Sequence, residues 1–237
     1  FAQQVLPDLD NTKSIVSMLP SAHMYGLMFE LLYELTVGAH VHFLSRVPSP
    51  KIIMRAMAEV KPYLVIAVPL VIEKIYKSKV KPILEKEGVK VLIKLPVLSQ
   101  FVLNKIKEEL VNAFGGEFYQ VIIGGAAFNK EVEAFFKKIG FPVTVGYGMT
   151  ECAPIITYDD WNVEKLYSCG KIAPNMEMKI ESVDPVNVPG EILIKGANVF
   201  LGYFKNEEAT KAVFTKDGWF RTGDMGVVDK DGCLFIK

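Results

Sequence analysis

Gly146-Tyr147-Gly148-Met149-Thr150-Glu151 places a flat aromatic face, a hydroxyl and a carboxylate within six residues. Glycine on either side of Tyr147 lets a ligand approach the backbone closely. Tyr147 offers a stacking surface, and Thr150 and Glu151 offer neighbouring oxygen ligands. A hard cation such as Mg²⁺ takes a single carboxylate together with substrate phosphates and waters. A solvated loop glutamate is the plainer reading of the same residues. A second group, Gly124-Gly125-Ala126-Ala127, joins the carboxyl end of an apolar strand to the start of a helix. Ligands of open α/β sheets bind at such turns, where unpaired amides suit polar or anionic groups, although a compact strand-to-helix turn explains the glycines equally well. In Arg221-Thr222-Gly223-Asp224 an acidic turn residue can accept from two vicinal ribose hydroxyls; taken alone, Asp224 is a turn residue. His23, within Pro20-Ser21-Ala22-His23-Met24-Tyr25-Gly26, stands where a strand opens into a helix. A lone histidine there is more often a cap or a packed side chain than a catalyst. His40 and His42 alternate on one strand face with no third ligand in the sequence, and they read as structural. There is no Walker lysine loop, no G-x-S-x-G elbow and no Cys–His dyad with sequence support.

The elements that must carry these groups are legible in the hydrophobic pattern. Ile15 to Leu19, Val41 to Leu44, Tyr63 to Val68, Tyr119 to Ile123 and Val143 to Gly146 read as strands. Tyr63 to Val68 is apolar throughout, as in a parallel strand buried on both faces. Between the strands, Met28, Leu31, Leu32 and Leu35 recur at helical spacing and predict an apolar helix face. Ser49-Pro50 predicts a capped helix start with Ile53, Ala56, Met57 and Val60 inward. Helical regions are expected from Pro69 to about Lys86 and from about Gln100 to Ala113, and Asn129 caps a helix that turns Val132, Phe135, Phe136 and Ile139 to the core. Five strands separated by helices predict a mostly parallel α/β sheet. After about Asp160 the helical periodicity stops. Met176 to Glu181, Glu191 to Lys195, Met225 to Val228 and a hairpin through Asp229-Lys230-Asp231-Gly232 into Cys233 to Ile236 predict an all-β unit. The expected division is 1–160, an α/β subdomain, and 161–237, a β-barrel-like subdomain.

Composition narrows the class. Of 237 residues, 50% are apolar and 23% charged, as in ordinary globular chains, and at about 150 residues per domain the length suits one large domain or two small ones. Lys+Arg and Asp+Glu are both 27, so no charge excess points at nucleic acid. The longest strongly apolar run, Tyr63 to Ile72, contains Pro69 and falls short of the about 20 residues a membrane-spanning helix needs. Glu30 and Glu34 argue against a span from Gly26 to Leu44. Cys152, Cys169 and Cys233 are odd in number and far apart, which fits a reducing, cytoplasmic compartment. The chain begins at Phe1 rather than Met and stops at Lys237 inside a strand-like run, so it reads as a piece of a longer protein.

Taken in order, PSAHMYG at 20–26, GGAA at 124–127, GYGMTE at 146–151, GEILIKGANVFLGYFKN at 190–206 and DGWFRTGD at 217–224 resemble the adenylate-forming acyl-CoA synthetases, to which luciferases and non-ribosomal adenylation domains are cousins. The resemblance covers essentially the whole chain. It implies that a carboxylate attacks the α-phosphate of ATP, that pyrophosphate leaves with Mg²⁺, and that the acyl group passes to the thiol of CoA. By that resemblance Gly124, Gly125 and Ala126 line the adenine and acyl site, and Tyr147, followed by Gly148, stacks on adenine. Thr150 contacts the α-phosphate, Glu151 binds Mg²⁺, Asp224 holds the ribose, and His23 lines or gates the acyl pocket. Phosphoryl-centred chemistry of this kind needs positioning and charge stabilisation more than a strong base.

An amino-acid substrate is disfavoured, because amino-acid-activating members carry an F-D-x-S type sequence where this chain has PSAHMYG. VPLVIEKIYKSKV at 68–80, with the helical insert up to Phe118, is similar to the long-chain fatty acyl-CoA synthetases, and implies a fatty acid substrate, with peripheral membrane contact and a homodimer compatible with it. The family's upstream phosphate loop and its downstream G-R-x-K hinge and lysine-bearing domain are expected to lie outside these residues, so the fragment is not expected to be active alone. A ligase for a short-chain or aromatic acid, or a non-catalytic relative that only binds nucleotide or acyl group, is the competing reading. Intact GYGMTE and RTGD count against the latter.

Overall fold

The structure, a computed structural model, describes residues 6, 8–45 and 48–237. Its backbone contacts divide the chain into two units between Val143 and Thr144, ahead of the change in character at about Asp160. The division falls there because the strands that follow Val145 pair within the later unit.

In the first unit, β1 (Ser14–Ser17), β2 (His40–Phe43), β3 (Leu64–Ala67) and β4 (Gln120–Ile123) run parallel. The sheet's order is β2-β1-β3-β4-β5, and the division of the chain falls within its last strand, β5 (Val143–Val145). Every residue of β3 and β4 is buried, the signature of strands covered on both faces. Crossovers are helical: α1 (Met24–Leu27), a π-helical turn Met28–Leu32 and α2 (Tyr33–Val37) lead to β2, and α3 (Pro50–Val60) leads to β3. After β3 come α4 (Pro69–Ile75), a second π-helical turn Tyr76–Val80, α5 (Lys81–Leu84), α6 (Glu87–Leu92) and α7 (Pro96–Ala113). α8 (Lys130–Ile139) follows β4. The expected caps form: Ser49 Oγ accepts from the Ile52 amide, and Asn129 Oδ1 accepts from the amides of Glu131 and Val132. Ile53, Met57, Ile72, Leu110, Phe114 and Phe136 pack in the core. Among the described residues no helix is long and apolar enough to cross a membrane.

The helix after β1 corrects the sequence expectation. Leu32 and Leu35, on the predicted apolar face, are exposed, whereas Glu30 and Glu34 are 1% and 0% exposed. The reason is local: Glu30 accepts from the Ser17 hydroxyl and from the amides of Met18 and Leu19. These are the donors β1 leaves unpaired as it ends, and satisfying them turns the acidic face inward.

The second unit is mostly antiparallel. β6 (Tyr147–Gly148), β7 (Ile155–Tyr158) and β8 (Lys171–Ile172) form a three-stranded sheet. β9 (Met176–Glu181), β10 (Gly190–Gly196), β11 (Phe220–Val228) and β12 (Leu234–Ile236) form a curled sheet of order β12-β11-β10-β9. Its core gathers Tyr147, Cys152, Ile156, Ile180, Ile192, Ile194, Phe220 and Leu234. The unit is not all-β: α9 (Glu207–Val213), capped by Asn206, lies between β10 and β11. Seven residues carrying three charges present too short an apolar repeat to be read as a helix.

Candidate functional site

In the first unit, Gly124 is buried at the end of β4, while Gly125, Ala126 and Ala127 are exposed. The Tyr25 ring lies against Gly124: a Cβ there would stand 3.1 Å from Tyr25 Cζ. Tyr25 Oη donates to the Ile122 carbonyl at 3.2 Å. The glycine therefore makes room for a ring from the PSAHMYG segment, a contact that residue types alone did not disclose. His23 is exposed and caps α1, its Nδ1 accepting from the Tyr25 amide at 3.3 Å. Tyr25 thus links the His23 turn to the Gly124 turn, and Glu30 anchors residues 17–19 just upstream. Burial raises the Glu30 carboxyl above its ordinary range, against the pull of its three donors. His40 is exposed on the edge strand, with Nε2 against the Asn11 carbonyl.

In the second unit, Tyr147 is 9% exposed and its Oη donates to Asp224 Oδ2 at 2.6 Å. Burial, and then the Asp224 carboxylate, push the phenol well above its usual value, so it remains a donor. Asp224 is itself exposed, and its Oδ1 has no hydrogen-bond partner among the described residues. Asp224 lies not in a turn, as its residue type suggested, but in a bulge within β11, and that bulge is built from below. Thr222 Oγ1 accepts from the Asp224 amide and donates to the Ile192 carbonyl. Arg221 bridges Glu181 and Glu191, and Glu191 also accepts from the Gly223 amide. Gly148 is half-buried, as the second residue of β6.

Thr150, exposed, opens a 3₁₀ turn Thr150–Cys152 that holds Glu151. Glu151 Oε1 accepts from Tyr203 Oη at 2.9 Å, which raises the Tyr203 phenol. Oε2 has no partner among the described residues. Cys152 is fully buried, and burial pushes its thiol up to about 12, so it is a packed residue and no nucleophile. Among the described residues no three His, Cys, Asp or Glu side chains gather as a metal cage. One open carboxylate oxygen beside an exposed hydroxyl suits Mg²⁺ only in company with phosphate oxygens and water, which is how that ion is commonly held.

These pieces match known proteins along their length. The AMP-binding enzyme family, described as "AMP-binding enzyme", matches residues 2–204. The chain belongs to that family. Among curated AMP-binding relatives, a 4-coumarate–CoA ligase-like protein of Oryza sativa subsp. japonica is 31% identical over 96% of this chain and 37% of its own length. Long-chain-fatty-acid–CoA ligase 1 of Saccharomyces cerevisiae is 31% identical over 98% of this chain and 36% of its own. Among solved structures, a malonyl-CoA ligase in a ternary product complex with methylmalonyl-CoA and AMP superposes with a TM-score of 0.74 at 26% identity. It covers 100% of this chain and 46% of that one. The chain thus spans under half the length of the AMP-binding relatives it matches.

Proposed function

We propose that the protein carrying this chain is an AMP-forming acid–CoA ligase acting on a long-chain fatty acid. The observation that carries the reading is the Tyr147–Asp224 hydrogen bond in an AMP-binding family member: an aromatic face and a ribose-suited carboxylate held together, with one carboxylate oxygen open. A carboxylate oxygen of the acid attacks the α-phosphorus of ATP and the bond to pyrophosphate breaks. The CoA thiol then attacks the acyl carbon, loses its proton and expels AMP. In this scheme Tyr147 stacks on adenine, Asp224 Oδ1 accepts from the ribose, and Thr150 donates to the α-phosphate. Gly124, Gly125 and Ala126 present backbone to adenine and acyl group, and His23 borders the acyl chain. Glu151 would hold Mg²⁺, which would supply positive charge for the departing pyrophosphate. Tyr147, Thr150, Glu151 and Asp224 all fall in the later unit, from Thr144 onward, and a cytoplasmic setting suits cysteines that form no disulfide.

The long-chain substrate is supported by the apolar helical stretch after β3 and by the yeast relative. The coumarate- and malonyl-directed relatives support a second reading, a ligase for another carboxylate. Pyrophosphate release by the full-length protein, with ATP, Mg²⁺, CoA and a panel from acetate through coumarate to palmitate, separates them. Palmitate is expected to give the highest kcat/KM. A maximum at a short or aromatic acid rejects the fatty acid, and no release with any acid rejects the ligase.

A further inference from the structure

Glu151 sits on a half-exposed turn, where a free glutamate would sample many rotamers. Its carboxylate is nevertheless held, and the holder comes from a segment to which the proposed function gives no task. Tyr203 Oη donates to Glu151 Oε1 at 2.9 Å. Tyr203 is itself fixed at both ends: its amide donates to Thr210 Oγ1 at 2.9 Å, and its ring meets Phe200 edge-on at 4.9 Å. The Phe200 amide donates to the Glu151 carbonyl at 2.8 Å. Asn198 Nδ2 donates to the carbonyls of Cys152 and Ile155, on the other side of the turn. Gly202, at φ +142°, allows the approach, because a Cβ there would stand 2.6 Å from the Thr210 methyl. The segment 198–203 therefore grips the Thr150–Cys152 turn by backbone and side chain together.

We propose that Tyr203 is a positioning residue that holds Glu151 as a one-oxygen ligand for the metal–nucleotide complex. The inference rests on the reading of Glu151 as the Mg²⁺ ligand. A phenol suits the task where a lysine would not. It occupies and orients one oxygen without cancelling the carboxylate's charge, which stays available to the cation through Oε2. Mg²⁺ demands near-ideal octahedral geometry and tolerates little ligand wandering. A carboxylate already restricted in rotation loses less freedom on binding.

The test uses the full-length protein with Mn²⁺ as a paramagnetic probe and a non-hydrolysable ATP analogue. Binding is followed by electron paramagnetic resonance, and pyrophosphate release is followed in parallel against Mg²⁺ concentration. Tyr203→Phe removes one hydroxyl and keeps the ring on Phe200. It is expected to raise half-saturating Mn²⁺ and Mg²⁺ about tenfold, the low end for a hydrogen bond to a charged group, with the melting temperature nearly unchanged. Added to Glu151→Gln, the same change is expected to shift metal binding no further. Wild-type Mn²⁺ affinity in Tyr203→Phe, or an equal second shift in the double variant, overturns the positioning role while Glu151→Gln still reports the metal. Wild-type Mn²⁺ affinity in Glu151→Gln overturns the metal reading of Glu151 and this inference with it.

Discussion

Asp224 and Tyr147 show how one hydrogen bond changes what each residue can do. The Tyr147 hydroxyl takes one carboxylate oxygen and leaves the other exposed, so Asp224 has a defined accepting direction. Asp224→Ala in the full-length protein removes the acceptor offered to ribose. The expected result is on the order of tenfold weaker ATP binding by titration calorimetry, with discrimination against 2′-deoxy-ATP abolished. Discrimination equal to wild type rejects the ribose contact. Tyr147→Phe keeps the aromatic face but frees Asp224 to rotate. A smaller loss, about threefold in ATP affinity, is expected from the same titration, with 2′-deoxy-ATP discrimination reduced but present. A loss as large as that of Asp224→Ala would mean that the hydroxyl, and not the carboxylate, reaches the nucleotide.

The elements act by where they end. β4 delivers Gly124 to the turn, and Asn129 starts α8 immediately after it by accepting from two amides. That cap fixes where the turn stops and the helix begins. Asn129→Ala leaves both donors without their side-chain acceptor and is expected to destabilise the fold by about 1 kcal/mol. In a chain of this size that lowers the melting temperature by roughly 2–4 °C, measurable by circular dichroism. An unchanged melting temperature would show that water replaces the cap without loss. Ser49, Asn129 and the all-apolar β3 were legible because capping and double-sided burial are written in neighbouring residues. The short α9 and the two-residue strands β6 and β8 were not, since so few residues carry no period.

For the molecule as a whole, Glu34 ties stability to pH. It is fully buried, and among the described residues its carboxylate oxygens find no hydrogen-bond partner. Burial, with the neighbouring Glu30 charge adding to it, pushes its carboxyl up to about 8 from an ordinary 4.5. The folded chain thus binds a proton here that the unfolded chain has lost across that interval. Stability from this group is complete below about pH 4.5 and declines as pH rises towards 8. Wild type is expected to lose on the order of a few kcal/mol between pH 5 and 8.5, and Glu34→Gln to show a flatter profile and greater stability at the alkaline end. Urea unfolding at the two pH values measures it, and parallel profiles for wild type and variant would remove Glu34 as the cause.

Residue order alone determined the parallel α/β start, the β-rich finish, the helix caps and the motifs that resemble the AMP-binding enzymes. Each of these depends on periods of two or 3.6 residues, or on short runs whose backbone geometry is local. Tertiary structure decided which side chain meets which. Tyr147 reaches Asp224 across 77 positions and Tyr203 reaches Glu151 across 52, joined by sheet order and loop approach that no window of sequence contains. It also decided which face of the helix after β1 is buried. An apolar stripe predicts burial by surface area alone, but the unpaired hydroxyl and amides at the end of β1 required an acceptor. Glu30 supplied it, and the acidic face went inward while Leu32 and Leu35 stayed in water.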